Sequence, residues 1–329
     1  MSELVTLSEQ LTDEEWLSEI EEIGKDRGYF ERVGDRHAAL FLDESLDVLL
    51  VSFDTIASAR AGSASGIPHG MLQAEINGWS HLSLIAQTPT WFRDPAVFAY
   101  FDRLVDDAFF EDFETVIFYG AGMSGYAASA FSVAAPGAIV LAVSPQATLD
   151  PSIASWDDRF ATERRRDFTS RYGFAPDMLE AAQAAYIIYD PFDELDAMHA
   201  ALFRGQQIHK IRLRHGGGNL GRTVQEMSIL GQIFRAAAAG SLSERTLFRA
   251  LRKRHDYLPY LRNVLNRLHV EERHYLIALL CRSVLDRKNA PRFRHHLELS
   301  EHRLSEEGRK LPPRHRKGRA ADRFPELRE

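Results

Sequence analysis

The chain has 329 residues, 45% of them apolar, enough for one large α/β domain with an appendage or for two ordinary domains. Its single cysteine, Cys281, excludes an internal disulfide, a multi-thiolate zinc site and a Cys-x-x-Cys redox pair. The net charge of −7 divides unevenly: Asp286 to Glu329 carries 13 Lys/Arg against 8 Asp/Glu, a balance of +5, so residues 1–285 stand at −12, and an acidic body argues against a surface that grips phosphate backbones.

The N-terminus is acidic where a signal peptide would be basic and then apolar, and no apolar run reaches the roughly 18 residues of a membrane span, so a bacterial-type cytoplasm is the expected location. Residues 1–27 are expected to hold an amphipathic helix over 12–27, with Thr12 as N-cap, Glu15 three residues on, and Trp16, Ile20 and Ile23 as its apolar stripe. Short apolar runs follow at 46–53, 81–86, 115–119, 138–144, 185–189 and 208–214. Most are continuously apolar, as strands buried on both faces should be. Helix-like stretches at 95–108, 124–134, 176–184 and 195–203 lie between them. The alternation predicts an α/β fold with a doubly wound, mostly parallel sheet over residues 28–240.

The longer connection at 145–178 is expected to form either a cap over a site or a solvated excursion. Residues 223–239 read as one helix, and Ser241 to Glu244 as a capping box opening a C-terminal helical appendage over 241–289. Leu258, Leu261, Leu265 and Leu268, then Leu276, Leu280 and Val284, form its apolar face. Residues 290–329 are charged, contain Pro312 and Pro313, and are expected to be disordered.

The most informative segment is Gly120-Ala121-Gly122-Met123-Ser124-Gly125, which ends the strand at 115–119. Taken literally it is G-x-G-x-x-G, and a dinucleotide-binding protein or oxidoreductase would use Gly120, Gly122 and Gly125 to approach a pyrophosphate. No acidic residue closes the next strand, which ends Leu141-Ala142-Val143-Ser144-Pro145, and at least two strands come earlier. The other reading is a nucleophile elbow. Tyr119, Gly120, Met123, Gly125, Tyr126, Ala127 and Ala128, followed by Ser144, Pro145 and Gln146, resemble bacterial members of the α/β-hydrolase superfamily, over about residues 37–221. The resemblance implies an α/β-hydrolase-like fold. It departs at one position: Gly122 stands where the nucleophilic serine should be, and Ser124 where the family has glycine.

The same resemblance implies an acid after the strand at 185–189, with Asp193 first and Asp190 second, and a histidine after the strand at 208–214, which is His215. Asp190 and Asp193 beside Pro191 also suit a turn or a helix cap, and His215 before three glycines suits a flexible loop. The backbone of Met123 and the loop around Asp54 and Thr55 are the expected oxyanion contributors. Ser124 reads as an N-cap hydroxyl or as a shifted nucleophile. Cys281, inside an apolar helix, and a Ser124-Gly125-Tyr126 string without a phosphate loop do not support phosphoadenosine phosphosulfate reductase chemistry. With 13 histidines but no H-E-x-x-H, no dedicated metal site and no cofactor are expected. The sequence thus points to a hydrolase-like pseudoenzyme that binds a small molecule or protein partner. A residual hydrolase using His215, Asp193 and Ser124 is the alternative.

Overall fold

In the computed structural model, which describes residues 5–8 and 10–313, eight strands join in one sheet. These are β1 (Gly28–Val33), β2 (His37–Leu42), β3 (Val48–Thr55), β4 (Ser80–Ala86), β5 (Thr115–Ala121), β6 (Ile139–Val143), β7 (Ala184–Tyr189) and β8 (Ile208–Arg212). Their order is β1-β2-β4-β3-β5-β6-β7-β8. β2 runs antiparallel to both β1 and β4, and every pairing from β4 to β8 is parallel. The six runs read from the sequence are β3 to β8. The hairpin β1–β2 escaped that reading because Gly28–Val33 has only one fully buried residue and lacks a continuous apolar run.

The helices are α1 (Asp13–Arg27), α2 (Ile56–Ala61), α3 (His69–Asn77), α4 (Pro95–Asp106), α5 (Met123–Phe131), α6 (Pro151–Ala154), α7 (Glu194–Leu202), α8 (Leu220–Glu226), α9 (Leu230–Ala238), α10 (Glu244–Ala250), α11 (Leu258–Val270), α12 (His274–Leu285) and α13 (Pro291–Glu306). Thr12 caps α1 in the capping box its spacing predicts, accepting from Glu15 N while the Glu15 carboxylate takes Thr12 N–H at 2.7 Å. The sheet separates two cores. On one face Phe53, Phe101, Phe118 and Phe131 pack beneath α4 and α5; on the other Trp16, Ile20, Leu40 and Met71 pack beneath α1 and α3. Burying this much apolar area on both faces is why strands β5 to β7 are largely continuous apolar runs, whereas β3 and β4 also carry buried polar residues such as Ser52 and His81.

The structure corrects several expectations. The helix read at 223–239 is two, α8 and α9, parted where Ser228 takes φ 51°. The stretch at 176–184 gives only a single 3₁₀ turn, Asp177–Leu179. The capping box lies two residues later than read: Ser243 caps α10 with Thr246, while the Ser241 hydroxyl donates back to the Ala236 carbonyl. The segment at 145–178 is packed in, with Phe168, Tyr172, Ala175 and Leu179 buried in the main core. It is fastened by the Arg93 guanidinium, which donates to the Asp167 and Arg171 carbonyls, and by His199 Nε2 on Asp157 at 2.9 Å.

The chain divides into two compact units, Met1–Tyr260 and Leu261–Glu329. In the second, the stretch expected to be disordered contains α13, which pairs with α12: Ile277, Cys281 and Val284 of one helix and Phe293, Leu297 and Leu304 of the other are buried. Three apolar residues at helical spacing suffice because α12 offers them a complementary face. Leu276, assigned to the inner stripe, is 44% exposed, since Ile277 takes that position. Residues 314–329, the rest of the expected tail, lie outside the described residues. Among the described residues no helix is long and apolar enough to cross a membrane.

Candidate functional site

β5 passes into α5 through a single residue. Gly122 has φ 58° and ψ −124°, a conformation that costs an L-residue strain, and its N–H donates to the Val143 carbonyl at 2.8 Å. A Cβ built on Gly122 would meet nothing within 4 Å, so the seat at the apex is open. Gly120 is the reverse case: its Cβ would stand 2.1 Å from the Ser124 carbonyl oxygen, so the helix can double back on the strand only over a glycine. The turn is the sharp strand-to-helix elbow, with no side chain at its apex.

Ser124 is the second residue of α5. It is not the N-cap, which is Gly122, and no side-chain cap bond is made there. Met123 turns its sulfur to the Trp91 N–H at 3.2 Å. Thr55, expected in an oxyanion loop, ends β3 and caps α2; its N–H is taken by Ser58 Oγ at 2.8 Å.

The two acids are placed differently. Asp190, 5% exposed, accepts from Phe192 N at 3.0 Å and from Gly216 N at 2.8 Å, tying the end of β7 to the loop that carries His215. Asp193 caps α7, accepting from Asp196 N at 3.1 Å, and lies 3.9 Å from the Arg159 guanidinium. His215 has φ 63° and its ring stacks on Phe192 at 4.5 Å. The residue of first choice is thus engaged as a cap, and the second choice holds the histidine's loop.

The cleft that opens here lies at the carboxyl ends of β3 and β5, where the chain path reverses along the sheet. In open α/β sheets this is where ligands lodge. Its volume is about 690 Å³, and Asp54, His69, Tyr119, Ser124 and Gln225 are in its wall. Among the described residues none from 145–178 lines it, so that segment does not cap this cleft.

Sequence reasoning named Asp54 only for its loop and missed the side-chain group beneath. Ser52 Oγ lies 3.0 Å from His81 Nε2 and 3.3 Å from Asp54 Oδ2, and Ser58 Oγ is 3.4 Å from Asp54 Oδ1. Withdrawal from water pushes the Asp54 carboxyl up to about 7 against these hydroxyls, and pushes His81 down to about 3 and His69 to about 4. The signal was present: Ser52 and Asp54 alternate along an otherwise apolar strand, on the face away from Val51 and Phe53.

The sheet order, the antiparallel second strand and the elbow after β5 are those of the α/β-hydrolase fold; a dinucleotide fold would run 3-2-1-4-5-6. No protein-family model matches the sequence, and no curated protein does. Solved structures similar to the chain include an esterase of Pyrobaculum calidifontis, at 14% identity over 71% of this chain and 95% of its own, with a TM-score of 0.40. A thermostable carboxylesterase cloned from a metagenomic library is similar at 12% identity over 73% and 99%, with a TM-score of 0.39. A capsule O-acetyltransferase of Neisseria meningitidis serogroup A is similar at 11% over 62% and 94%, with a TM-score of 0.41. The assignment of the fold rests on this chain's own topology.

Proposed function

We propose that this protein is a binding member of the α/β-hydrolase fold, without serine acyl-transfer chemistry, and that its ligand occupies the cleft at the ends of β3 and β5. The observation that carries this reading is Gly122: the strained turn is kept, the space beside it is open, and the residue has no oxygen to offer. Acyl transfer on this fold requires an oxygen nucleophile at that apex with a histidine base against it. Ser124, two residues on, is displaced by far more than the roughly 1 Å that such geometry tolerates. A second reading, hydrolysis by water activated at His215, draws support from the bond between Asp190 and Gly216 N.

A fluorophosphonate probe tests the proposal, since it labels only a serine activated by a base. The wild-type protein should remain unlabelled, and Ser124→Ala should change nothing. Gly122→Ser, once circular dichroism confirms its fold, should gain labelling that His215→Ala removes. Labelling of the wild type that Ser124→Ala abolishes would overturn the proposal.

A further inference from the structure

Away from the cleft, two surfaces of the first unit each supply what the other lacks. The first is the outer side of α10 and of the 3₁₀ turn Leu251–Asp256 that continues it. Leu247, Ala250 and Leu251 are buried beneath, so positions 245, 248, 249 and 252 share the side turned to solvent. Arg245, Arg249 and Arg252 are exposed there, and none of them enters an ion pair among the described residues. Phe248 stands between them, 42% exposed.

The second surface is a pocket of about 280 Å³ where the chain passes from α4 into β5. Leu104, Val105, Phe110, Phe113 and Ala135 give it apolar walls, with Glu111 and Glu114 in the same lining. About 150 Å³ is enough for benzene, so a phenylalanine ring fits. Asp106, Asp107 and Asp112 are exposed beside it in the chain, and like Glu111 and Glu114 they enter no ion pair among the described residues.

The two surfaces lie on opposite sides of the sheet and do not meet within one molecule. The Tyr186 hydroxyl donates to the Leu242 carbonyl at 2.9 Å, and His209 lies 3.1 Å from Glu244. These bonds hold the start of α10 on the side away from Ala185 and Ile187, which alternate with Tyr186 along β7. Phe110, Phe113 and Ala135 of the pocket belong to the core on the Ala185 side.

We propose that a second copy of this chain inserts its Phe248 into the pocket between α4 and β5, setting its arginines against the acids of residues 106–114. Aromatic and arginine side chains are the ones that most often anchor an interface, and opposite charges around the anchor fix its orientation. Because the two surfaces differ, the contact is heterologous and adds copies head to tail, as a ring or an open row. The pocket lies at the amino ends of β5 and β6, so the contact is made away from the cleft at the carboxyl ends of β3 and β5. The proposal stands whether or not that cleft binds a ligand.

Sedimentation velocity on the intact protein tests it. At about 100 µM and about 50 mM salt the wild type should form species larger than a monomer, and about 500 mM salt should weaken the association about tenfold or more, because exposed charges are screened. Phe248→Ser should be monomeric, and so should Glu111→Lys combined with Glu114→Lys; circular dichroism checks that both variants fold. Mixed together, they should form a one-to-one dimer and nothing larger, since the first keeps its pocket and the second its phenylalanine. The proposal is overturned by a wild type that stays monomeric, by assembly that Phe248→Ser leaves intact, or by a mixture that stays monomeric while the wild type assembles.

Discussion

The elbow and the cleft wall beside it are built on adjacent strands, and they invert each other. At Gly120 to Ser124 a recognisable pattern preserves a demanding backbone, while the apex has no reactive atom. At Ser52, Asp54 and His81 there is no pattern, yet the sheet collects a hydroxyl, a carboxyl and an imidazole, and burial shifts the last two far from their ordinary values. A motif therefore reports where the chain must turn, and burial decides where titration is unusual. The two need not coincide.

The sharpest way to break this contrast is Gly120→Ala. If the elbow is held by close approach, a Cβ 2.1 Å from the Ser124 carbonyl must displace the first turn of α5, and urea unfolding should show a loss of about 3 kcal/mol or more. A loss below about 1 kcal/mol would mean that the turn is slack.

Asp54→Asn examines the other side, with an expected effect of about 2 kcal/mol, discounted for residual solvent at a half-buried group. The folded protein keeps the Asp54 proton up to about 7, whereas the unfolded chain releases it near 3.9. Between those values the native state binds more protons, so its stability falls as pH rises through about 4 to 7 and stays lower above. The buried histidines act in the opposite direction: their stability contribution is lost as pH falls from about 6.5 towards 4. They are common to both proteins and cancel in the difference. The melting temperature of Asp54→Asn relative to wild type should therefore climb from about pH 4 to 7 and then level off; a flat difference would refute the shifted carboxyl.

Gly122→Ala is expected to have the smallest effect, about 1 kcal/mol, arising from the positive φ alone because the added methyl has open space. Equal costs at positions 120 and 122 would dissolve the distinction between a packed and a strained glycine.

The sequence by itself determined the alternation of six strands with helices, the Thr12 cap and the turn after Tyr119, because these depend on local period, capping chemistry and glycine, all written in neighbouring residues. It also identified the loops after β7 and β8. It ranked Asp193 ahead of Asp190 but could not show what either carboxylate holds, since that depends on which one the backbone of Gly216 reaches and which one closes the first turn of α7. Nor could it show α13 as folded, because Phe293, Leu297 and Leu304 are sparse along the chain and gain stability only against α12. The cleft is the clearest case. Asp54 reads as a polar residue near a strand end, and only the packing of β3, β4 and β5 with α3 and α8 withdraws it from most of its water, which is what makes it unusual.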